Sequence, residues 1–220
     1  MYSRQTLVQI AVAEAKKGLV WSKGSEATKY TKKFEGIFGT GRFSWCAAFV
    51  TWCLEQAGLD CPIKFNSKFG YTTAYVEAWQ QWAEEKGFYH DNDGKYEPPP
   101  GALIIFDWSQ KDINLPDNDK DDHIGICVSA IMDGGKFVGC HTAEGNSSNK
   151  TGEHVRNSIS IQGFVVIPEA FSFSVDAKAN PKPVPATPKY SDDDAFVRAF
   201  QAKHGLNVDG DPGPKTYAAL

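Results

Sequence analysis

A chain of 220 residues, 41% hydrophobic and 13% aromatic, is long enough for one well-buried domain plus a small appendage, which excludes disorder over most of its length. Its formal net charge of −4 comes from 23 Lys and Arg against 27 Asp and Glu dispersed along the chain, with no basic arm or stripe for phosphates, so nucleic acid is not an expected partner. No stretch approaches the roughly 18 to 20 apolar residues of a membrane span, so no membrane insertion is expected.

The opening MYSRQTLVQIAVAEAKKG pairs an apolar patch with small residues, as a secretory signal does. Gln5, Gln9 and Glu14 interrupt that patch and its basic residues fall on the wrong side, whereas Leu7, Ile10, Ala11 and Glu14 fit an amphipathic helix near residues 4–17. The expectation is a protein made in the cytoplasm without a signal peptide. A polar connection from Lys23 to Arg42 follows. The next helix is predicted from Trp45 to Ala57, N-capped by Ser44 and stopped by Gly58, with Pro62 beyond.

A third helical segment, TTAYVEAWQQWAEEKG, places Tyr75, Trp79 and Trp82 at spacings of four and three, as core aromatics, and ends at Gly87. DNDG at 91–94 reads as a turn between short strands, because the spacing of a calcium-binding helix–loop–helix is absent. Pro98, Pro99, Pro100 and Gly101 then break the chain before ALIIFDW at 102–108, a buried strand. Three more strands are readable: HIGICVSA at 123–130, KFVGCHTAEG at 136–145 and SISIQGFVVI at 158–167, with DGG at 133–135 as a hairpin turn. Helices first and strands after give an α+β fold, an antiparallel sheet packed against the Cys46 helix.

From Ser174 to Tyr190 the composition shifts to KANPKPVPATPK, a proline-extended linker. Beyond it SDDDAFVRAFQAKHG, capped by Ser191 or Asp192, carries Phe196, Val197 and Phe200 on one side. The expected division is a first domain over 1–172, a linker over 173–190 and a small α-helical module over 191–220.

Cysteines stand at 46, 53, 61, 127 and 140, an odd number with no C-x-x-C pair, which argues against a disulfide framework and against a structural zinc site. Cys46 falls in the first turn of its helix, where free backbone N–H groups and the positive end of the helix dipole favour a thiolate. Cys53 lies two turns inside, where Phe49, Val50 and Leu54 desolvate it and disfavour ionisation. A cysteine nucleophile needs a proton acceptor, and His123 opens a strand on the face of Gly125, Cys127 and Ser129, small residues that leave room for the cysteine helix to approach. In the following strand Glu144 and, if the strand continues, Asn146 share a face opposite to His141. Either can accept from an imidazole N–H and fix its tautomer. From these patterns alone a Cys46–His123–Glu144 triad and a set of unrelated core residues stand equally open.

Four blocks in order carry a resemblance. They are Ser44-Trp45-Cys46-Ala47-Ala48-Phe49-Val50; Pro100-Gly101 ahead of a strand ending in Phe106-Asp107-Trp108; Asp122-His123-Ile124-Gly125-Ile126; and Glu144-Gly145-Asn146. Together they resemble the CHAP domain, the cysteine, histidine-dependent amidohydrolase/peptidase of phage endolysins and bacterial wall hydrolases, over roughly residues 5 to 168. The resemblance implies a papain-like fold, Cys46 as nucleophile, His123 as general base and acid, Glu144 as the acidic residue that orients the histidine, and Asn146 beside it. It implies attack of a thiolate on an amide carbon of peptidoglycan, an oxyanion held partly by the Cys46 N–H, and release of the acyl-enzyme by water. Trp45 is placed beside the nucleophile as a substrate-binding residue, with plain core as the alternative.

Two positions depart from the family pattern. Ala102 follows the Pro-Gly where many members carry Asp. KYTKKFEGIFGTGRFSW, where some relatives bind calcium, holds Glu35 and no aspartate, while DNDKDD at 117–122 reads as a solvated loop. No metal and no cofactor are expected.

At the other end, Phe200-Gln201, His204-Gly205-Leu206, Asp209-Gly210 and Gly213-Pro214-Lys215-Thr216 are similar to the repeat of a small helical peptidoglycan-binding domain. The match covers about 30 residues where that family uses two halves. It implies a wall anchor on a linker, with a half-module that binds nothing as the alternative. The function implied by both resemblances is a peptidoglycan hydrolase of the endolysin kind, an N-acetylmuramoyl-L-alanine amidase or a peptidoglycan endopeptidase. Its partner is bacterial peptidoglycan and its place of action the bacterial cell wall. The alternatives are a non-catalytic wall-binding protein on the same scaffold and a virion-associated lysin.

Overall fold

Helix α1, Arg4–Ala15, begins where Ser3 turns its hydroxyl back to accept from the Thr6 backbone N–H at 3.2 Å, satisfying one of the free donors of a helix start. The computed structural model describes residues 1–66, 71–108 and 123–173, all within one compact unit, Met1–Lys178; a second unit, Ala179–Leu220, lies outside the described residues. Two short helices follow, α2 at Thr28–Thr31 and α3 at Glu35–Phe38, then α4 at Cys46–Gln56 and α5 at Val76–Lys86.

Two helix starts differ from the sequence reading. α4 begins at Cys46, and Trp45 rather than Ser44 occupies the N-cap, with no side-chain capping bond; the Trp45 carbonyl accepts from the Phe49 N–H at 2.9 Å. Cys46 is therefore the first helical residue, closer to the dipole's positive end than a Ser44 cap would put it. α5 starts only at Val76, because Tyr75 is extended. Trp79 and Trp82 accordingly enter the core, whereas Tyr75, off the helical face, stays 50% exposed.

Among the described residues six strands form one antiparallel sheet: β1 Tyr89–Asp91, β2 Leu103–Phe106, β3 His123–Asp133, β4 Lys136–Ser147, β5 Lys150–Asn157 and β6 Ile161–Val165, in the spatial order β1-β6-β2-β3-β4-β5. The β3–β4 turn is the expected one: Asp133 pairs with Lys136, and Gly134 and Gly135 both take positive φ, the backbone of a tight hairpin. β6 is shorter than the predicted strand because residues 158–160 form a 3₁₀ turn, pinned by the Asn92 side chain donating to the carbonyls of Ser158 and Ile161. In the 91–94 turn the Asp93 carboxylate accepts from the backbone N–H groups of Lys95 and Tyr96, each at 2.8 Å.

Period-two alternation divides the sheet's faces. Leu103, Ile105, Ile124, Ile126, Ala143 and Val165 pack with Leu7, Ala11, Phe49, Val50 and Leu54 of α1 and α4 in the larger core. Ile104, Phe106, Cys127, Cys140 and Phe164 form a smaller cluster on the opposite face. α4 is buried nearly all round, as a helix is that sits between a sheet and other helices. It meets the sheet at Gly145, where a Cβ would lie 2.3 Å from the Cβ of Phe49 and 2.9 Å from the Trp45 ring. No helix among the described residues is long and apolar enough to cross a membrane.

Candidate active site

Three side chains meet where α4, β3 and β4 converge. Cys46 is the first residue of α4, His123 the first of β3, and Glu144 lies near the end of β4; they are 3%, 6% and 0% exposed. His123 Nε2 is 2.9 Å from Glu144 Oε2. The Cys46 side chain lies beside the ring, close enough for each to shift the other's ionisation, and with Nε2 on Glu144 the ring's Nδ1 is the nitrogen left for the sulfur.

Glu144 has further partners. Arg156 on β5 donates to it twice, Nε to Oε1 at 2.8 Å and Nη2 to Oε2 at 2.6 Å, and the Thr142 hydroxyl donates to Oε1 at 2.5 Å.

His123 lies on the face predicted for it, but the space beside it has a different tenant. A Cβ on Gly125 would sit 2.8 Å from Glu144 Cγ, so the missing side chain admits the carboxylate, while α4 packs on the Ile124 and Ile126 side of the strand. Cys46 reaches His123 from the strand's end, where the Ile124 backbone N–H also bonds the sulfur.

Burial by itself would push the Cys46 thiol up. The bond to His123, the imidazolium charge and the N–H groups of Ile124 and Ala47 outweigh it and hold the thiol below its ordinary range. Burial would likewise lower the His123 imidazole, but the Cys46 and Glu144 partners raise it to about 9. Burial would raise Glu144; the bonds from Arg156, His123 and Thr142 hold it well below the usual carboxylate range. These shifts favour a row of alternating charge, thiolate, imidazolium, carboxylate and guanidinium, which sums to zero and would leave no buried ion without a counterion. By contrast burial pushes the Cys53 thiol well up, as expected of a core residue.

A cavity of about 290 Å³ opens beside His123 and Arg156 of this row, lined by these two with Trp108, Asn146, Ser147 and Ser148. The Trp108 ring centroid stands 5.8 Å from that of His123 and 5.2 Å from the Arg156 guanidinium carbon. Asn146 shares the cavity wall with His123 but not the predicted strand face with Glu144. The β4–β5 register shifts between Glu144 and Ser147 and Asn146 takes a φ of 60°, so the alternation ends at Glu144. Nε2 of the imidazole is already taken by Glu144.

Trp45 does not line the cavity. It is fully buried, stacked on Tyr30 with ring centroids 5.6 Å apart, and so is a core residue rather than the substrate-binding one expected. Sequence reading passed over Arg156 and Trp108. Arg156 sits on β5, a polar strand that no hydrophobic alternation announces; Trp108 belongs to the Phe106-Asp107-Trp108 block, which by itself assigns it no role at the site.

Residues 38–146 match the CHAP domain, a span that contains Cys46, His123, Glu144 and Asn146. Over that span the chain is similar to a CHAP domain. This indicates a cysteine- and histidine-dependent amidohydrolase or peptidase, and the α+β architecture is the papain-like fold expected of one. The match ends before β5, so Arg156 lies outside it. Residues 194–220 match a putative peptidoglycan binding domain, which supports peptidoglycan as the partner of the CHAP domain; that segment and the linker before it lie outside the described residues. No curated protein matches the chain. Among the described residues no group of three His, Cys, Asp or Glu could hold a metal ion; the acidic run at 117–122 is not among them.

Proposed function

We propose that the protein is an endolysin-type peptidoglycan hydrolase that cuts an amide bond through Cys46, as an N-acetylmuramoyl-L-alanine amidase or a peptidoglycan endopeptidase. The observation that carries this reading is the buried His123–Glu144 hydrogen bond with the Cys46 side chain beside the same imidazole, at the edge of an open cavity. The domain plan that accompanies it is a catalytic domain over 1–172, a linker over 173–190 and a wall-binding segment over 191–220.

The Cys46 thiolate attacks the amide carbonyl carbon, forming a C–S bond while the carbonyl electron pair moves onto oxygen. The Cys46 backbone N–H has no acceptor within its own helix, being at its first residue, and is available to that oxyanion. His123 Nδ1 gives its proton to the leaving nitrogen as the C–N bond breaks, then takes one from the water that attacks the thioester. Glu144 accepts from Nε2 throughout and keeps the ring in one orientation. Asn146, on the cavity wall beside His123, contacts substrate or the oxyanion rather than the ring.

Cys46→Ala tests the reading. Lysis of purified bacterial peptidoglycan disappears while wall binding persists, and mass spectrometry of fragments released by the parent protein names the bond cut. Undiminished lysis by the alanine variant overturns the proposal.

A further inference from the structure

We infer that Arg156 is a positioning residue for the proposed reaction: its two-point clamp on Glu144 fixes the carboxylate against His123 and limits how tightly that carboxylate holds the imidazolium. The inference rests on the catalytic reading above and adds a residue from β5, beyond the matched CHAP span.

Geometry carries the argument. Arg156 Nη2, at 2.6 Å, and His123 Nε2, at 2.9 Å, bond the same oxygen, Glu144 Oε2, so guanidinium and imidazolium share the negative charge of one atom. Nε at 2.8 Å from Oε1 makes the grip bidentate, which fixes the carboxylate plane as well as its position. The guanidinium is itself held: Nη2 also donates to the Ser147 hydroxyl at 3.2 Å, and its carbon lies 5.2 Å from the Trp108 ring and 5.8 Å from the Phe106 ring. The same two rings flank His123, at 5.6 and 5.8 Å. One aromatic wall therefore sets the base and the clamp in register.

The chemistry gives the clamp a purpose. A fully buried carboxylate facing only an imidazolium would bind its proton-bearing partner too well, making it a poor acid toward the leaving amine. A second cation on the same carboxylate draws off part of that attraction.

Among the described residues the titratable and charged groups around the imidazole are few. They are the Cys46 thiol from α4, Glu144 with Cys140 behind it from β4, and Arg156 and His154 from β5. Burial disfavours the charged form of His154, and the β2 end contributes the Phe106 and Trp108 rings with the buried Asp107 carboxyl between them, so among the described residues Arg156 is the lasting positive charge beside Glu144.

The test compares Arg156→Gln and Arg156→Lys with the parent by the pH profile of kcat/KM on peptidoglycan and by an NMR titration of isotope-labelled histidine. In Arg156→Gln the alkaline limb and the His123 titration both move up by roughly half to one pH unit. Its kcat falls about tenfold, a fraction of what acid–base catalysis supplies, while KM stays within about twofold. Arg156→Lys keeps the charge but not the fork, so its limb stays near that of the parent and kcat still falls. An unmoved limb and titration in Arg156→Gln overturn the inference, as does Arg156→Lys with wild-type kcat; the lysine variant serves if the glutamine one does not fold. Should no chain cleave peptidoglycan, the functional reading fails while the imidazole titration still judges the clamp.

Discussion

His123 Nε2 stands 2.9 Å from Glu144 Oε2 although the first opens β3 and the second nearly closes β4. The hairpin's length and its bulge between Cys127 and Ser129 bring them level. Glu144→Gln keeps the shape of this contact and removes its charge. Without the carboxylate the imidazole pKa falls, so the alkaline limb of kcat/KM moves to lower pH. We expect kcat/KM to drop on the order of a hundredfold and stability to fall by about 1–3 kcal/mol, since Arg156 loses its counterion. Steady-state kinetics and denaturant melts check both.

The pH dependence has a definite sign. The active pair needs Cys46 ionised and His123 protonated, so activity rises as pH climbs through the depressed Cys46 value. It falls as His123 loses its proton near pH 9. Stability follows from the same shifts. His123, raised above its unfolded value, contributes fully below about pH 6.5 and loses its contribution as pH rises through about 9. Glu144, depressed, contributes above the ordinary carboxylate range and loses its contribution in strong acid. A bell-shaped kcat/KM profile whose alkaline limb lies near pH 9 is the expected result.

Gly145→Ala strikes the packing of α4 on the sheet. The added methyl would sit 2.3 Å from Phe49 Cβ, and neither partner is a flexible side-chain end. The helix start must move, at a cost of about 1–3 kcal/mol, carrying Cys46 away from His123. A lowered melting temperature together with a loss of kcat larger than any change in KM is the signature. A stable, fully active variant would contradict this account of the contact.

Deleting residues 174–220 separates catalysis from anchoring. If the segment matching the peptidoglycan-binding domain raises local substrate concentration, sedimentation with whole cell walls weakens while turnover of small soluble wall peptides is unchanged. Equal retention on walls by both forms would remove the anchoring role.

Much of the site was legible because each member sits at a position that local chemistry marks. A cysteine at a helix start, a histidine at the head of a strand beside glycine, and a carboxylate in register on the next strand are all readable from spacing. The buried aromatics Trp79 and Trp82 were readable for the same reason. Arg156 was not, because β5 is a polar edge strand in which only Thr151 is fully covered, so its alternation carries no hydrophobic signal. Ser44 misled through its side-chain type alone: capping propensity favours serine, but the backbone turns at Trp45, whose ring is anchored on Tyr30 in the core. Asn146 shows the limit of period two, since a bulge and a left-handed residue redirect the chain just where the site needs its wall.

The proposed nucleophile and base come from distant parts of the chain, and the docking of α4 on β3 and β4 brings them together. The β3–β4 hairpin, closed by Gly134 and Gly135, can form from local contacts, whereas the sulfur arrives through a long-range one. A chain still being synthesised, or one partly unfolded, therefore holds a histidine–glutamate pair with nothing to activate. On the proposed reading, cutting power comes only with the finished fold.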